Sequence, residues 1–268
     1  MANRTERTLS VHQEHELLLA FERAGISPAD ADRVITSKND VMATQVLSLI
    51  RGEYLGKLFG DKWVTVDEAA EMIGPNFRGI DVVERHLFGE GAGFSPDDRL
   101  ALETTTFPME LILANAQTHI LQAVAPMSLL QVHAGSSNEL FWSAQRESPW
   151  FGDDAQAFAR TVPEAGWALV RVEEKPGSTS KSRDEQLELL DDDEYNPSVA
   201  VMAQVMAVHF RQTHERLFEK LYVRCNDVAS SGFRVSVGGF HDGGFGVSDY
   251  SDGDRYSGLG IASARKFS

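Results

Sequence analysis

Apolar and polar positions alternate with different periods along this chain, and the changes of period mark its organisation. Over the first sixty residues the period is helical. Glu14, Leu17, Leu18, Leu19 and Phe21 fit one amphipathic stretch that ends at Gly25. Ser27 then offers an N-cap, with Pro28 at the first helical position and Asp30 near the positive end of the helix dipole. A further helix from about Asn39 presents Val41, Val46, Leu47 and Ile50 before Gly52 stops it. Residues 1–60 are expected to form a helical module suited to docking or oligomerisation.

From Lys62 the texture is mixed. WVTV at 63–66 reads as a strand, Asp67 to Ile73 as a short helix and Gly74-Pro75-Asn76 as a break. The two apolar runs of 119–134, split at Pro126, predict two strands or one strand and its continuation. DDAQAFARTV is expected to be a helix after Trp150 and Phe151, and WALVRVEE at 167–174 a strand. Residues 175–195, with Pro176 and the acidic run Asp191 to Glu194, predict a surface loop with a short helix at Glu185 to Leu190. Val199 to Glu219 predicts a long helix with Val199, Met202, Val205, Met206 and Phe210 on one face and His209 among them. Beyond Leu221, short apolar pulses (Val235, Val237, Phe240, Phe245, Val247, Leu259, Ile261) punctuated by glycines predict short strands joined by tight turns. Helices and strands followed by a Gly-rich β end make an α+β domain over 61–268.

Charge and composition narrow the function. The 268 residues carry a net charge of -15, which repels a polyanion, and no basic patch offsets it, so no nucleic-acid partner is expected. No apolar run approaches a membrane span and the N-terminus lacks a signal-like stretch, so no membrane partner and a cytoplasmic location are expected, with virion association or export left open. The lone cysteine, Cys225, lies in an apolar strand pattern beside Tyr222, Val223 and Val228 and is expected to be buried and inert.

The C-terminal segment has a restricted alphabet. Between Asn226 and Ala264 there is no Glu, Gln, Lys, Met or Trp, where average usage would supply roughly six to eight. Certain residues there form a frame: LYVR with Asp227, then Gly232, Arg234, Val235, Val237, Gly238, Phe240, Gly244, Val247, Arg255, and a closing Leu259, Gly260, Ala262, Ser263, Ala264, Arg265 and Lys266. Between them stand Phe233, Ser236, Gly239, His241, Asp242, Gly246, Ser248, Asp249, Tyr250, Gly253, Asp254, Tyr256 and Ser257. This frame resembles the variable region of target proteins of diversity-generating retroelements. There, error-prone copying at template adenines rewrites AAY codons, whose first two bases can change to give Phe, Ser, Tyr, His, Asp or Gly but never the five missing types. GSTSKSRDEQLELL at 177–190 and the stretch from 196 to 224 are similar to the same group. Relatives often carry Trp near position 251, where this chain has Ser251 beside Tyr250.

The resemblance implies a C-type-lectin-like fold of the formylglycine-generating-enzyme type over 61–268, with the variable region at about 226–264 forming an exposed face. It implies a ligand-binding protein recognising protein ligands, with the thirteen intervening residues as the display positions. Their mixture of Tyr, Ser, Gly and Asp is also what paratopes use. The alternative is an enzyme or signalling component on the same scaffold.

Catalytic and metal motifs are weak, and no catalytic residue, metal or cofactor is expected. GSTSKS at 177–182 has Ser180 where a phosphate-binding loop requires Gly, and predicts a plain polar loop. His12 and His15 lack a third ligand, and His209 and His214, five apart, face different sides of a helix. Asp249, Asp252 and Asp254 have calcium-ligand chemistry without the EF-hand spacing or its closing Glu. The run from Asp191 to Glu194 predicts a solvated face. A formylglycine-type oxidase would want more than Cys225.

Overall fold

The computed structural model divides into two units, Met1–Gly60 and Asp61–Ser268, and describes residues 62–88, 93–136 and 140–267. The expected N-terminal helices, with His12 and His15, lie outside the described residues.

The second unit is mixed α and β. In chain order it runs β1 (Trp63–Thr65), α1 (Val66–Ile73), β2 (Phe77–Arg78), α2 (Ile80–Leu87), α3 (Pro96–Glu103), β3 (Thr106–Pro108), α4 (Met109–Asn115), β4 (His119–Val124) and α5 (Leu129–Ser136). It continues through β5 (Gly166–Arg171), α6 (Arg183–Leu187), β6 (Glu194–Tyr195), α7 (Val199–Thr213), β7 (Tyr222–Val228), β8 (Arg234–His241), β9 (Gly244–Tyr250), β10 (Leu259–Ile261) and β11 (Ala264–Arg265). Among the described residues three sheets result: a β1-β3 pair, a five-stranded sheet ordered β2-β4-β5-β11-β6, and a four-stranded sheet ordered β10-β7-β8-β9.

Local signals explain most of these elements. Thr65 caps α1 in a reciprocal capping box with Glu68, and Ser95 caps α3 with Pro96 at its first position. β4 is buried at every residue because it is a central strand with a core on each side. Ile120 faces the main core and Leu121 the smaller core formed with Val64, Phe107 and Ile112.

The second apolar run of 119–134 is a correction: it is helix α5, not a strand. Ser128 and Gln131 form a reciprocal cap, the Ser128 amide donating to Gln131 Oε1 at 2.8 Å and the Gln131 amide to Ser128 Oγ at 3.3 Å. The expected helix in DDAQAFARTV is a single 3₁₀ turn at Ala157–Arg160.

Helix α7 is the axis of the main core. It is shorter than expected, because His214 enters the left-handed region (φ 62°) and ends it. Its burial also exceeds one face: Ala200, Ala203 and Ala207 are as enclosed as Val205, Met206 and Val208, since α2 and α5 pack on it as well as β4, β7 and β8. Ser198 caps its first turn, and the Asp227 carboxylate accepts the Val199 amide at 2.6 Å, anchoring strand β7 to the positive end of the helix. Inside, Gln204 is fully buried and its amide spans the chain after β4, accepting from the Ala125 amide and donating to the Ala125 and Met127 carbonyls.

The acidic run is likewise less solvated than expected. Glu194 is buried and pairs with Lys175, while Arg265 on β11 reaches Asp193 at 3.0 Å. Among the described residues no helix is long and apolar enough to cross a membrane.

Two buried histidines make stability pH-dependent. Arg78, itself fully buried, donates to His209 Nδ1 at 3.1 Å, so the ring is neutral with its proton on Nε2. Burial, reinforced by Arg78, lowers the pKa of His209 to about 4. Burial, reinforced by Arg171, Arg265 and Lys175, lowers that of His119 to about 3. A depressed histidine leaves the unfolded chain binding more protons below its ordinary pKa of 6.5. The stabilisation is therefore full above about pH 6.5 and lost as pH falls from there toward 3, on the order of 3 kcal/mol for His209 and about 5 kcal/mol for His119. His209→Gln, which keeps an acceptor for Arg78, should flatten the pH profile of chemical denaturation between pH 6.5 and 4. An unchanged slope would remove His209 from this account.

Candidate binding face

The four-stranded sheet turns one side to α7 and the other outward. In register, Val223, Val237 and Val247 stand side by side on the core side, and Tyr222, Gly238 and Gly246 on the other. Arg224, Ser236 and Ser248 form the next outer row, and Arg234 pairs with Tyr250. Cys225 is buried on the core side, where desolvation pushes its thiol well above the ordinary range, so it is an inert core residue.

The candidate display residues fall into three places. Ser248, Tyr250, Tyr256 and Ser257, with Gly239 and Gly246, lie on or beside the outer face, where Tyr250 meets Tyr222 and Tyr256 edge to face at 6.0 Å each. His241 and Asp242 form the tip of the β8–β9 hairpin beside Trp142. There Asp242 accepts from Arg216 at 2.7 Å, and His241 Nδ1 accepts the Gly243 amide at 3.0 Å. Phe233 (44 % exposed) marks the far end of β8, where Asp249 accepts from Ser231 at 2.8 Å. Two candidates are corrected: Ser236 is fully buried, its hydroxyl without a partner, and Gly246 is covered by the Tyr222 ring. Ser236 neighbours Arg224, which holds the 251–254 turn over that part of the sheet. From Phe233 to His241 the strand runs about 25 Å, the breadth of a protein contact rather than of a small-molecule pocket.

The turn from Ser251 to Gly258 is fixed from outside the segment. Arg224 is fully buried and donates to the carbonyls of Ser251 and Asp254 at 2.8 Å, to that of Lys181 at 3.3 Å and to Gln186 Oε1 at 2.8 Å. The Ser180 amide donates to Tyr256 and the Arg183 amide to Asp252. Glu185, which closes a capping box with Ser182 at the start of α6, pairs with Arg255 at 2.5 Å; that bond and the Ser182 contacts hold its carboxyl down at about 2. The polar loop GSTSKS and α6 therefore form a clamp over the turn.

At each edge of the sheet a glutamine joins backbone bonds, which run from Leu140 and Trp142 to Phe245 on β9 and from Lys175 to Ile261 on β10. Gln145 donates to the Val247 carbonyl at 2.7 Å and accepts its amide at 3.0 Å, imitating a neighbouring strand along β9. Gln186 donates to Leu259 on β10 at 3.0 Å, where Ser178 Oγ also accepts the Ile261 amide. Sequence reasoning missed Arg224, Gln145, Gln186 and Tyr222 as parts of this site. The motif at 177–190 was the available signal for Gln186, and the LYVR frame for Tyr222 and Arg224; Gln145 had none.

The three aspartates with calcium-ligand chemistry take separate partners. Asp249 accepts from Ser231, Asp252 from Arg234 at 3.2 Å, and Asp254 from the Ser251 amide at 2.9 Å. Among the described residues no group of three or more metal-binding side chains is close enough to hold an ion.

Five glycines of the segment differ in what surrounds them. A Cβ at Gly238 would come within 2.2 Å of the Leu221 carbonyl, and one at Gly244 within 2.5 Å of the Phe141 backbone, with φ at +150° and +99° respectively. At Gly239 and Gly246 the nearest atoms all belong to the Tyr222 side chain, and at Gly253 only Ser251 Oγ lies near, at 3.9 Å. Gly238→Ala and Gly244→Ala should each cost about 2 kcal/mol or more, because backbone must move, and Gly253→Ala less than about 0.5 kcal/mol. Thermal melts of the three variants check this; equal losses would contradict the division.

Comparison with protein-family models, curated proteins and solved structures finds no match to this chain.

Proposed function

We propose that this is a ligand-binding protein whose C-terminal face is diversified by retroelement-directed mutagenesis, and that it recognises protein ligands through that face. The scaffold would be C-type-lectin-like, of the formylglycine-generating-enzyme type. The observation that carries the reading is the division among glycines. Gly238 and Gly244, at fixed positions of the frame, are held by backbone, whereas Gly239, Gly246 and Gly253, between the fixed positions, meet one movable side chain or open space; of the other fixed glycines, Gly232 has open space at a φ of +84° and Gly260 meets the side chains of Glu174 and Ser178. A segment that accepts many residues at some sites and keeps its fold needs that distribution. Gly239 fits in a further way. Its φ of +58° is best tolerated, after glycine, by Asn, Asp and His, which are the parental residue and two products of AAY-codon mutagenesis.

Other features support display of a protein-sized surface. Phe233, His241, Tyr250 and Tyr256 are spread along the sheet and its turns, a footprint suited to an interface of about 800 Å² per partner. The clamp of Arg224, Gln186 and Glu185 holds the turn that carries Tyr256, and a rigid support lowers the entropy lost on binding.

Two measurements test this. In sister copies of the gene, changes should concentrate at the thirteen intervening positions and spare Val235, Val237, Gly238, Gly244 and Leu259, with a near-copy of the segment beside a reverse transcriptase gene. Changes spread evenly along the chain would overturn the retroelement reading. In solution, Tyr250→Ser combined with Tyr256→Ser should abolish binding to a partner isolated with the parent protein while leaving the melt within about 1 kcal/mol, and a chelator should leave parent affinity unchanged. Retained affinity would move recognition off this face, and chelator sensitivity would restore a metal role for Asp249, Asp252 and Asp254.

A further inference from the structure

Tyr222 stands on β7 outside the restricted segment, yet its ring lies across the two glycines of the outer face. A Cβ on Gly246 would fall 2.4 Å from Tyr222 Oη and 3.3 Å from Cζ; one on Gly239 would fall 2.9 Å from Cε2 and 3.1 Å from Oη. The ring packs against Tyr250 at 6.0 Å. No hydrogen bond among the described residues ties its hydroxyl. It is therefore held by packing alone, and the atoms that would collide with a new side chain are at its free end.

We propose that Tyr222 is a fixed, specificity-determining residue of the binding face, whose position is set by the residues at 239 and 246. With glycine at both, the ring lies down and continues the Tyr250–Tyr256 shelf. With any side chain at 246, it cannot stay. The sheet blocks it from below, so it turns outward and becomes a projecting aromatic beside Tyr250. A single change at 246 thus alters the surface at 246, 222 and 250 together. Position 239 acts the same way within the narrower set of residues its backbone tolerates. The phenol of Tyr222 reports the lying-down state, since burial and then Tyr250 raise its pKa.

This inference rests on the outer face being the binding surface, but its test needs no partner. Gly246→Ser, Tyr222→Ala and the double variant are compared with the parent by thermal melting, and the parent and Gly246→Ser by tetranitromethane nitration read by peptide mass spectrometry. Tyr222 should be nitrated several-fold faster in Gly246→Ser, with Tyr195, another phenol raised by burial, unchanged as internal reference. The melting loss caused by Gly246→Ser should vanish in the Tyr222→Ala background, the non-additivity expected of one shared contact. Equal nitration of Tyr222 in both proteins, or additive melts, would overturn the proposal. Should Gly246→Ser fail to fold, a folded double variant supports the proposal and an unfolded one overturns it. If these results hold while Tyr250→Ser with Tyr256→Ser leaves partner binding intact, the coupling stands and the binding reading falls.

Discussion

The guanidinium of Arg224 is the interaction on which the outer face depends. A fully buried cation is costly unless its donors are met. Here four acceptors from two pieces of chain meet its two terminal nitrogens, Lys181 and Gln186 from the clamp and Ser251 and Asp254 from the turn, while Nε alone takes no partner among the described residues. Charge-assisted bonds to fixed carbonyls are strong and directional, so the turn cannot drift without stranding a charge. Removing one side of such a buried arrangement costs about 3–5 kcal/mol, comparable with the whole stability of many domains. The Glu185–Arg255 pair and the amides of Ser180 and Arg183 act in parallel at the surface.

This arrangement separates what is held from what is shown. The core side of the sheet, with Val223, Val235, Val237 and Val247, is locked onto α7, and α7 is locked to β7 by the Asp227 carboxylate. The outer side offers side chains whose removal leaves no cavity in that core. Tyr256, at 55 % exposure, and Phe233 lie at this limit, whereas Ser236 shows that alternation along a strand is not enough. A residue can point outward and still be covered by a turn.

Much of the fold was legible in local pattern. WVTV, the helix after it, WALVR and the Gly-punctuated strands at the end follow from periodicity and turn chemistry, and Cys225 follows from its apolar neighbours. The misreadings have specific causes. Leu129 to Ser136 looked like strand because an apolar run carries no period, and the deciding signal was the Ser128–Gln131 cap. The run at 191–194 looked solvated because charge density says nothing about partners far away in sequence, here Lys175 and Arg265. Within the site, most of the exposed residues were visible from composition. The groups that hold them, Arg224, Gln145 and Gln186, act through contacts up to 102 residues apart, which no local window contains.

The two glutamines at the sheet edges have a consequence for how safely this surface can change over evolutionary time. An uncovered edge strand is a template for intermolecular pairing and aggregation, and the hazard rises when neighbouring residues become more apolar or β-prone. Gln145 and Gln186 both lie outside residues 226–264, so no replacement within that stretch can delete either of them. The safeguard against fibrillation is thus encoded apart from the residues it guards.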